Sequence, residues 1–166
     1  QVTGPCTASF LRYDVQVHPQ GPEAPLQVPI VHVSGPDFRD PAELQLLQAA
    51  VDHEAARIGR SLTEDKAYAA RCSAAGHRVA RAYCAAFAAL PADIQVLRLA
   101  PISAGAFAGV MREAMPQITF AAIESGFQAS PLPIRAFLLS IRVEVCVYLR
   151  RDLAHFCEGL TRFQAL

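Results

Sequence analysis

Apolar positions along the chain switch between a period of two and a period near 3.6, and the switches mark its elements. "SFLRYDVQV" (9–17) is part alternating and part apolar, which predicts a strand. Pro and Gly crowd "HPQGPEAPLQ" (18–27), which predicts a loop. "VPIVHVSGP" (28–36) reads as a buried strand closed by a Gly-Pro turn. Over 40–59 the period changes: Leu44, Leu47, Val51 and Ile58 recur at helical spacing. Asp40 stands as N-cap, Pro41 takes the first helical position and Gly59 is a natural stop.

A second helix is expected over 64–90, capped by Ser61 or Thr63, rich in alanine, weakest at Gly76 and ended by Pro91. "DIQVLRLAPI" (93–102) predicts the next strand. "VMREAMPQITFAAIESGF" (110–127) predicts a helix that bends or restarts at Pro116. "SPLPI" reads as a linker and "VEVCVYL" (143–149) as the last strand. The closing "RDLAHFCEGLTRFQAL" places Leu153, Phe156, Leu160 and Phe163 on one helical face. Apolar strands alternating with helices imply a parallel or mixed sheet between helices, and one domain over 1–166 is the economical reading.

Composition narrows the function classes. The chain has 166 residues, enough for one domain with a real core, and 52% are hydrophobic against 18% charged. Lys+Arg and Asp+Glu are 15 each, so bulk charge predicts neither nucleic-acid nor membrane attraction. No apolar run reaches the roughly 18–20 residues of a spanning helix, and "QVTGPCTASF" lacks the pattern of a signal peptide. The five cysteines (Cys6, Cys72, Cys84, Cys146 and Cys157) include no CxxC pair, so no metal site is expected. Free thiols and a reducing compartment, cytoplasmic or nuclear, are the expectation. No cofactor motif is found.

"APISAGAFAG" (100–109) carries the candidate chemistry. Small residues lie where a strand ends and a helix opens, and a helix start carries unpartnered N–H groups and a favourable potential for anions. Ligands of open α/β sheets sit at this end of the strands. The stretch reads either as a tight turn packed on its neighbours or as a cradle for a diphosphate. It is neither GxGxxG nor a P-loop. Phe107 would cover a ribose or base, or pin the helix start as a core aromatic.

Four segments, taken in order, resemble the macro domains. "LRLAPISAGAFAG" resembles their second phosphate loop, and "VPIVHVSGPDFR" a strand and turn of the form V-I-H-x-x-G-P. "ITFAAIESGF" is similar to the helix after the loop, and "VEVCVYLRRDLAHF" to the final strand, aromatic tip and closing helix. The resemblance spans about residues 8–164. It implies a three-layer α/β/α sandwich with a mixed, mostly parallel sheet that binds ADP-ribose. It further implies that Ile102, Ser103, Ala104, Gly105, Ala106 and Phe107 form the phosphate loop, the N–H groups of 103–107 cradling the diphosphate. Phe107 would pack on the distal ribose and Tyr148 would stack on adenine.

The chain departs from the family at its start. The Gly-Asp-Ile-Thr-like adenine contact, the Asn-Ala-Ala-Asn-like segment and the glycine-rich first phosphate loop are missing, and the chain has no asparagine. Relative to the family the domain reads as N-terminally incomplete. ADP-ribose or an ADP-ribosylated protein is the expected partner. The alternatives are an ADP-ribosyl hydrolase and a non-binding scaffold whose open sheet edge meets a partner chain or a second copy.

Other chemistry finds less support. His32 in an apolar strand reads as a core histidine, and Asp37 with Arg39 as a local ion pair on a solvated turn. Ser103 has no G-x-S-x-G elbow. His77 and Cys84 stand two helical turns apart, beyond contact. Glu113 and Glu124, eleven residues apart on one expected helix, do not form a pair, and Arg150 and Arg151 read as surface arginines within reach of a phosphate.

Overall fold

The computed structural model of the chain describes residues 8–15, 26–147 and 150–164. The first two apolar runs form β1 (Ala8–Val15) and β2 (Leu26–Val33). They pair antiparallel throughout, Ala8 opposite Val33 and Val15 opposite Leu26. The connection between them is shorter than the dozen or more residues that a parallel crossover takes, so a hairpin is the geometry open to it.

Helix α1 (Pro41–Ile58) has the expected ends. The Asp40 carboxylate accepts from the Ala42 N–H at 2.8 Å, and Gly59 takes the left-handed C-cap at φ 72°. Asp40→Ala should cost about 1 kcal/mol and lower the thermal midpoint by about 3 °C. An unchanged midpoint would mean that the cap contributes nothing. Helix α2 (Glu64–Ala88) starts after Thr63, whose side chain makes no capping bond. Arg78 of α2 donates through Nε and Nη2 to the Glu43 carboxylate, tying α2 to α1.

The strand expected over 93–102 is confined to β3 (Val96–Leu99). A 3-10 helix (Gly105–Ala114) follows, and α3 (Met115–Ala129) takes over with Pro116 in its first turn. The chain restarts at this proline, which needs no N–H partner there. Glu113 and Glu124 therefore lie on different helices. "SPLPI" is not a linker: it opens α4 (Leu132–Ser140), with Pro131 at the cap and Pro133 in the first turn. The same tolerance explains the correction, since proline breaks a helix interior but suits a helix start. Strand β4 (Arg142–Val145) and helix α5 (Arg150–Gln164) complete the order.

The fold is mixed α/β with most residues in helices. Among the described residues the strands form two sheets of two, the antiparallel β1–β2 hairpin and the parallel β3–β4 pair. Arg142 N–H donates to Gln95 C=O at 3.0 Å and Cys146 N–H to Leu99 C=O at 2.8 Å, fixing the parallel register. Helices α2 and α3 form the centre. A Cβ on Gly126 of α3 would lie 2.9 Å from the Ala80 carbonyl oxygen, so α3 approaches α2 as only glycine permits. Val79, Tyr83, Phe87, Met111, Met115 and Ile118 fill the core beside them. Helix α5 packs on α3 through Phe156, edge-on to Phe120 at 6.3 Å. Among the described residues no helix is long and apolar enough to cross a membrane.

Candidate functional site

Beyond β3 the chain turns through 100–104 into the 3-10 helix, and Tyr83 of α2 sets the shape of that turn. Its hydroxyl donates to the Ala100 carbonyl at 3.1 Å and accepts from the Ile102 N–H at 3.2 Å. The ring is fully buried. Burial pushes the phenol pKa up to about 12, opposed in part by the Ile102 N–H. Ser103 then takes a left-handed φ of 61°, and the Ala104 N–H returns to Pro101 C=O at 3.4 Å. Left-handed backbone is unfavourable for a residue with a Cβ, by roughly 1–2 kcal/mol. Ser103 is 8% exposed, and its Oγ has no hydrogen-bond partner among the described residues.

The turn after β2 locks onto this loop. Phe38 is fully buried, and its N–H donates to Phe107 C=O at 2.9 Å. A Cβ on Gly35 would lie 2.4 Å from Ile102 Cγ2 and 2.7 Å from Ser103 Oγ. A Cβ on Gly109 would lie 2.2 Å from the Phe38 carbonyl oxygen. Gly35, Ala108 and Gly109 are therefore small because two turns pack against each other. Gly105 differs: its φ is 68°, yet nothing lies within 4 Å of where its Cβ would be. Gly105 and Ala106 are exposed, and Phe107 is 50% exposed. The sequence left a tight turn and an open cradle as alternatives, and the loop is divided between them: packed at 108–109, open at 105–107.

Two guanidinium groups flank the open part. Arg112 Nη2 donates to Gly105 C=O at 3.3 Å. Arg39 lies 5.0 Å from the centroid of the Phe107 ring. Arg39 also donates to both carboxylate oxygens of Asp37, at 2.9 and 2.7 Å. That hydrogen bonding holds the Asp37 carboxyl below its usual range and raises the Arg39 pKa. The 3-10 helix has Ala104 as its N-cap, and the methyl side chain offers no capping bond. Its leading N–H groups are available to an outside acceptor.

Of the residues read as a site, 102–107 are contiguous and continue into the arginine-flanked opening, whereas Tyr148 lies outside the described residues. Arg150 is exposed at the start of α5, as expected of a surface arginine. His32 is exposed on β2, which corrects its reading as a core histidine: alternation turns it to the outer face of the hairpin. Cys84 accepts a long contact from Ser130 Oγ at 3.8 Å, and His77 lines a separate α2–α3 groove. In that groove burial pushes the Cys72 thiol above its usual range, the reverse of activation. Among the described residues no cluster of three or more His, Cys, Asp or Glu could hold a metal. Sequence reasoning missed Arg112 because it started the helix at 110. The backbone breaks at Gly109, and Arg112 reaches back across that kink to the Gly105 carbonyl. No protein-family model, curated protein or solved structure matches the chain.

Proposed function

We propose that the chain binds the diphosphate of a nucleotide ligand on the 102–107 loop, ADP-ribose being the ligand that the macro-domain resemblance implies. The observation that carries the reading is the opening at 105–107, with uncapped N–H groups between Arg112 and Arg39. The exposed Phe107 ring supplies a face for a ribose, and Tyr148 keeps its place as the adenine partner. Hydrogen bonds to phosphate from N–H groups and guanidinium are charge-assisted and carry most of the affinity. Binding, not hydrolysis, is the activity proposed: Ser103 Oγ is packed towards Gly35, away from the open face. The three-layer sandwich belongs to the same proposal, its mixed sheet complete once the two strand pairs are joined. Among the described residues Cys72, Cys84, Cys146 and Cys157 are free thiols, which suits the reducing compartment that belongs to this reading.

Titration calorimetry of the full chain tests it, with ADP-ribose as ligand and AMP as control. Saturable heat with ADP-ribose alone is expected. Gly105→Val should weaken binding at least about tenfold by covering the N–H groups, and Arg112→Ala by about tenfold through loss of a charged hydrogen bond. Circular dichroism confirms that each variant is folded. A folded wild-type chain that gives no heat, or wild-type affinity in both variants, overturns the assignment.

A further inference from the structure

A cleft of about 470 Å³ runs between the hairpin and β3. Its walls include four consecutive residues of β2 (28–31) and all four of β3 (96–99). Successive strand residues point to opposite faces, so a wall built from consecutive residues is a strand edge. Both long walls are edges. Tyr83, Phe87 and Leu90 supply an apolar third side.

The polarity of each edge follows from its pairing. In β3 the carbonyls of Gln95 and Leu99 accept from β4, so alternation turns the N–H and C=O of Val96 and Arg98 to the cleft. The next residue in that phase, Ala100, gives its carbonyl to Tyr83, which itself lines the cleft. In β2, Pro29 has no N–H and so takes a position facing away from β1, which turns Val31 and Val33 the same way. Among the described residues β2 pairs only with β1, and β3 only with β4. Two hydrogen-bonding edges thus face each other across an apolar trough. A helix or an acyl chain would leave both edges unsatisfied, whereas an extended backbone satisfies both.

A strand entering this cleft must have both its own edges free. Each of β1 to β4 already has one edge paired, so none of them, supplied by a second copy, fits without breaking its sheet. We infer that the cleft between β2 and β3 is a docking slot for an extended segment of another polypeptide, one that has no strand partner before it binds. Its inward positions are uncharged and β-branched or small, to lie against Phe87 and Leu90. Its backbone bonds Val96 and Arg98 on one side and Val31 and Val33 on the other, joining the two sheets into one.

Two contacts hold the slot near its present width. At one end Gly35 touches Ile102 and Ser103; at the other, Arg12 meets Asp93 at 2.9 Å. The second is an exposed ion pair that contributes little, so widening at that end is the easier movement.

Amide hydrogen exchange on the full chain tests the slot without reference to the nucleotide proposal. In the unmodified chain Val96 and Arg98 should exchange faster than Leu97 and Leu99, whose amides face β4. Equal protection would mean that the edge is already covered, and the inference would fail. The probe is the segment Thr-Val-Thr-Val-Thr-Val fused to the N-terminus through a Gly/Ser linker of about 20 residues, which reaches roughly 25 Å. It should slow exchange at Val96, Arg98, Val31 and Val33 by at least about tenfold. A fused run of six prolines, which has no N–H to donate to either edge, should leave these amides unchanged. Val96→Pro removes one slot donor without touching the β4 bonds and should reduce the remaining protection. No slowing with the Thr-Val probe, or equal slowing with the proline run, rejects the slot.

Discussion

Gly109→Ala should lower the thermal midpoint by roughly 10 °C, the largest loss expected of any single methyl group added to this chain. Gly109 has φ 49° and ψ −128°, a backbone conformation essentially reserved for glycine. Holding another residue there costs roughly 1–3 kcal/mol. The added Cβ would also lie 2.2 Å from the Phe38 carbonyl oxygen and 3.1 Å from the Arg39 N. These are backbone atoms, and they cannot rotate away as the end of a side chain can. Forced overpacking adds roughly 1–3 kcal/mol, for a total of about 4 kcal/mol and the stated fall in midpoint.

Two companion variants make that result specific. Gly35→Ala meets Ile102 Cγ2 and Ser103 Oγ, side-chain atoms that can shift, and should cost about 1–2 kcal/mol. Gly105→Ala meets nothing within 4 Å and carries only the left-handed backbone cost, about 1 kcal/mol. Thermal unfolding of the three variants should place Gly109→Ala well below both others. A loss at Gly109 no greater than at Gly105 would mean that the two turns do not interlock through Phe38.

The three glycines also show how far the sequence could be read. The clustering of Gly105 and Gly109 with alanines in "APISAGAFAG" marks a place where backbone comes close to something. What it comes close to is a tertiary fact. At Gly109 it is another turn, seventy residues earlier in the chain; at Gly105 it is solvent. Helix α1 was legible end to end because Asp40, Pro41 and Gly59 act on their own neighbours. Helix α4 was not legible because prolines at "SPLPI" suit a linker equally well, and only their places at the cap (Pro131) and in the first turn (Pro133) make them starters. The strands were legible as strands, but their partners were not. Period-two patterning says which residues share a face and nothing about which edge meets which. The flanking arginines were half legible: Arg39 stood out in the "GPDFRD" turn, while Arg112 meets Gly105 across the kink at Gly109, a tertiary contact that no local pattern marks.

Tyr83→Phe should destabilise the chain near neutral pH and then lose that deficit as the pH is raised. The hydroxyl is the only atom removed. Below pH 10 its loss leaves the Ala100 carbonyl and the Ile102 N–H without their partner, in a part-buried turn. Unmet groups of this kind cost roughly 1–3 kcal/mol, a fall of about 3–9 °C in midpoint. The wild-type phenol is held protonated in the folded state, its pKa raised from 10.0 to about 12, chiefly by burial. Between those values the unfolded chain releases this proton and the folded chain keeps it. The unfolded state then binds fewer protons, so the slope of stability against pH is negative. The contribution is fully present below pH 10 and drains away as the pH approaches and passes 12, amounting to roughly 2 kcal/mol by pH 12. Phenylalanine has no such proton. Urea unfolding of both proteins from pH 8 to 11.5 should therefore show two curves that converge, because every other titrating group is common to both. A gap that stays constant with pH would mean that Tyr83 ionises as freely in the folded chain as in the unfolded one. The Ala100 and Ile102 contacts could not then be the buried hinge on which the 102–107 loop turns.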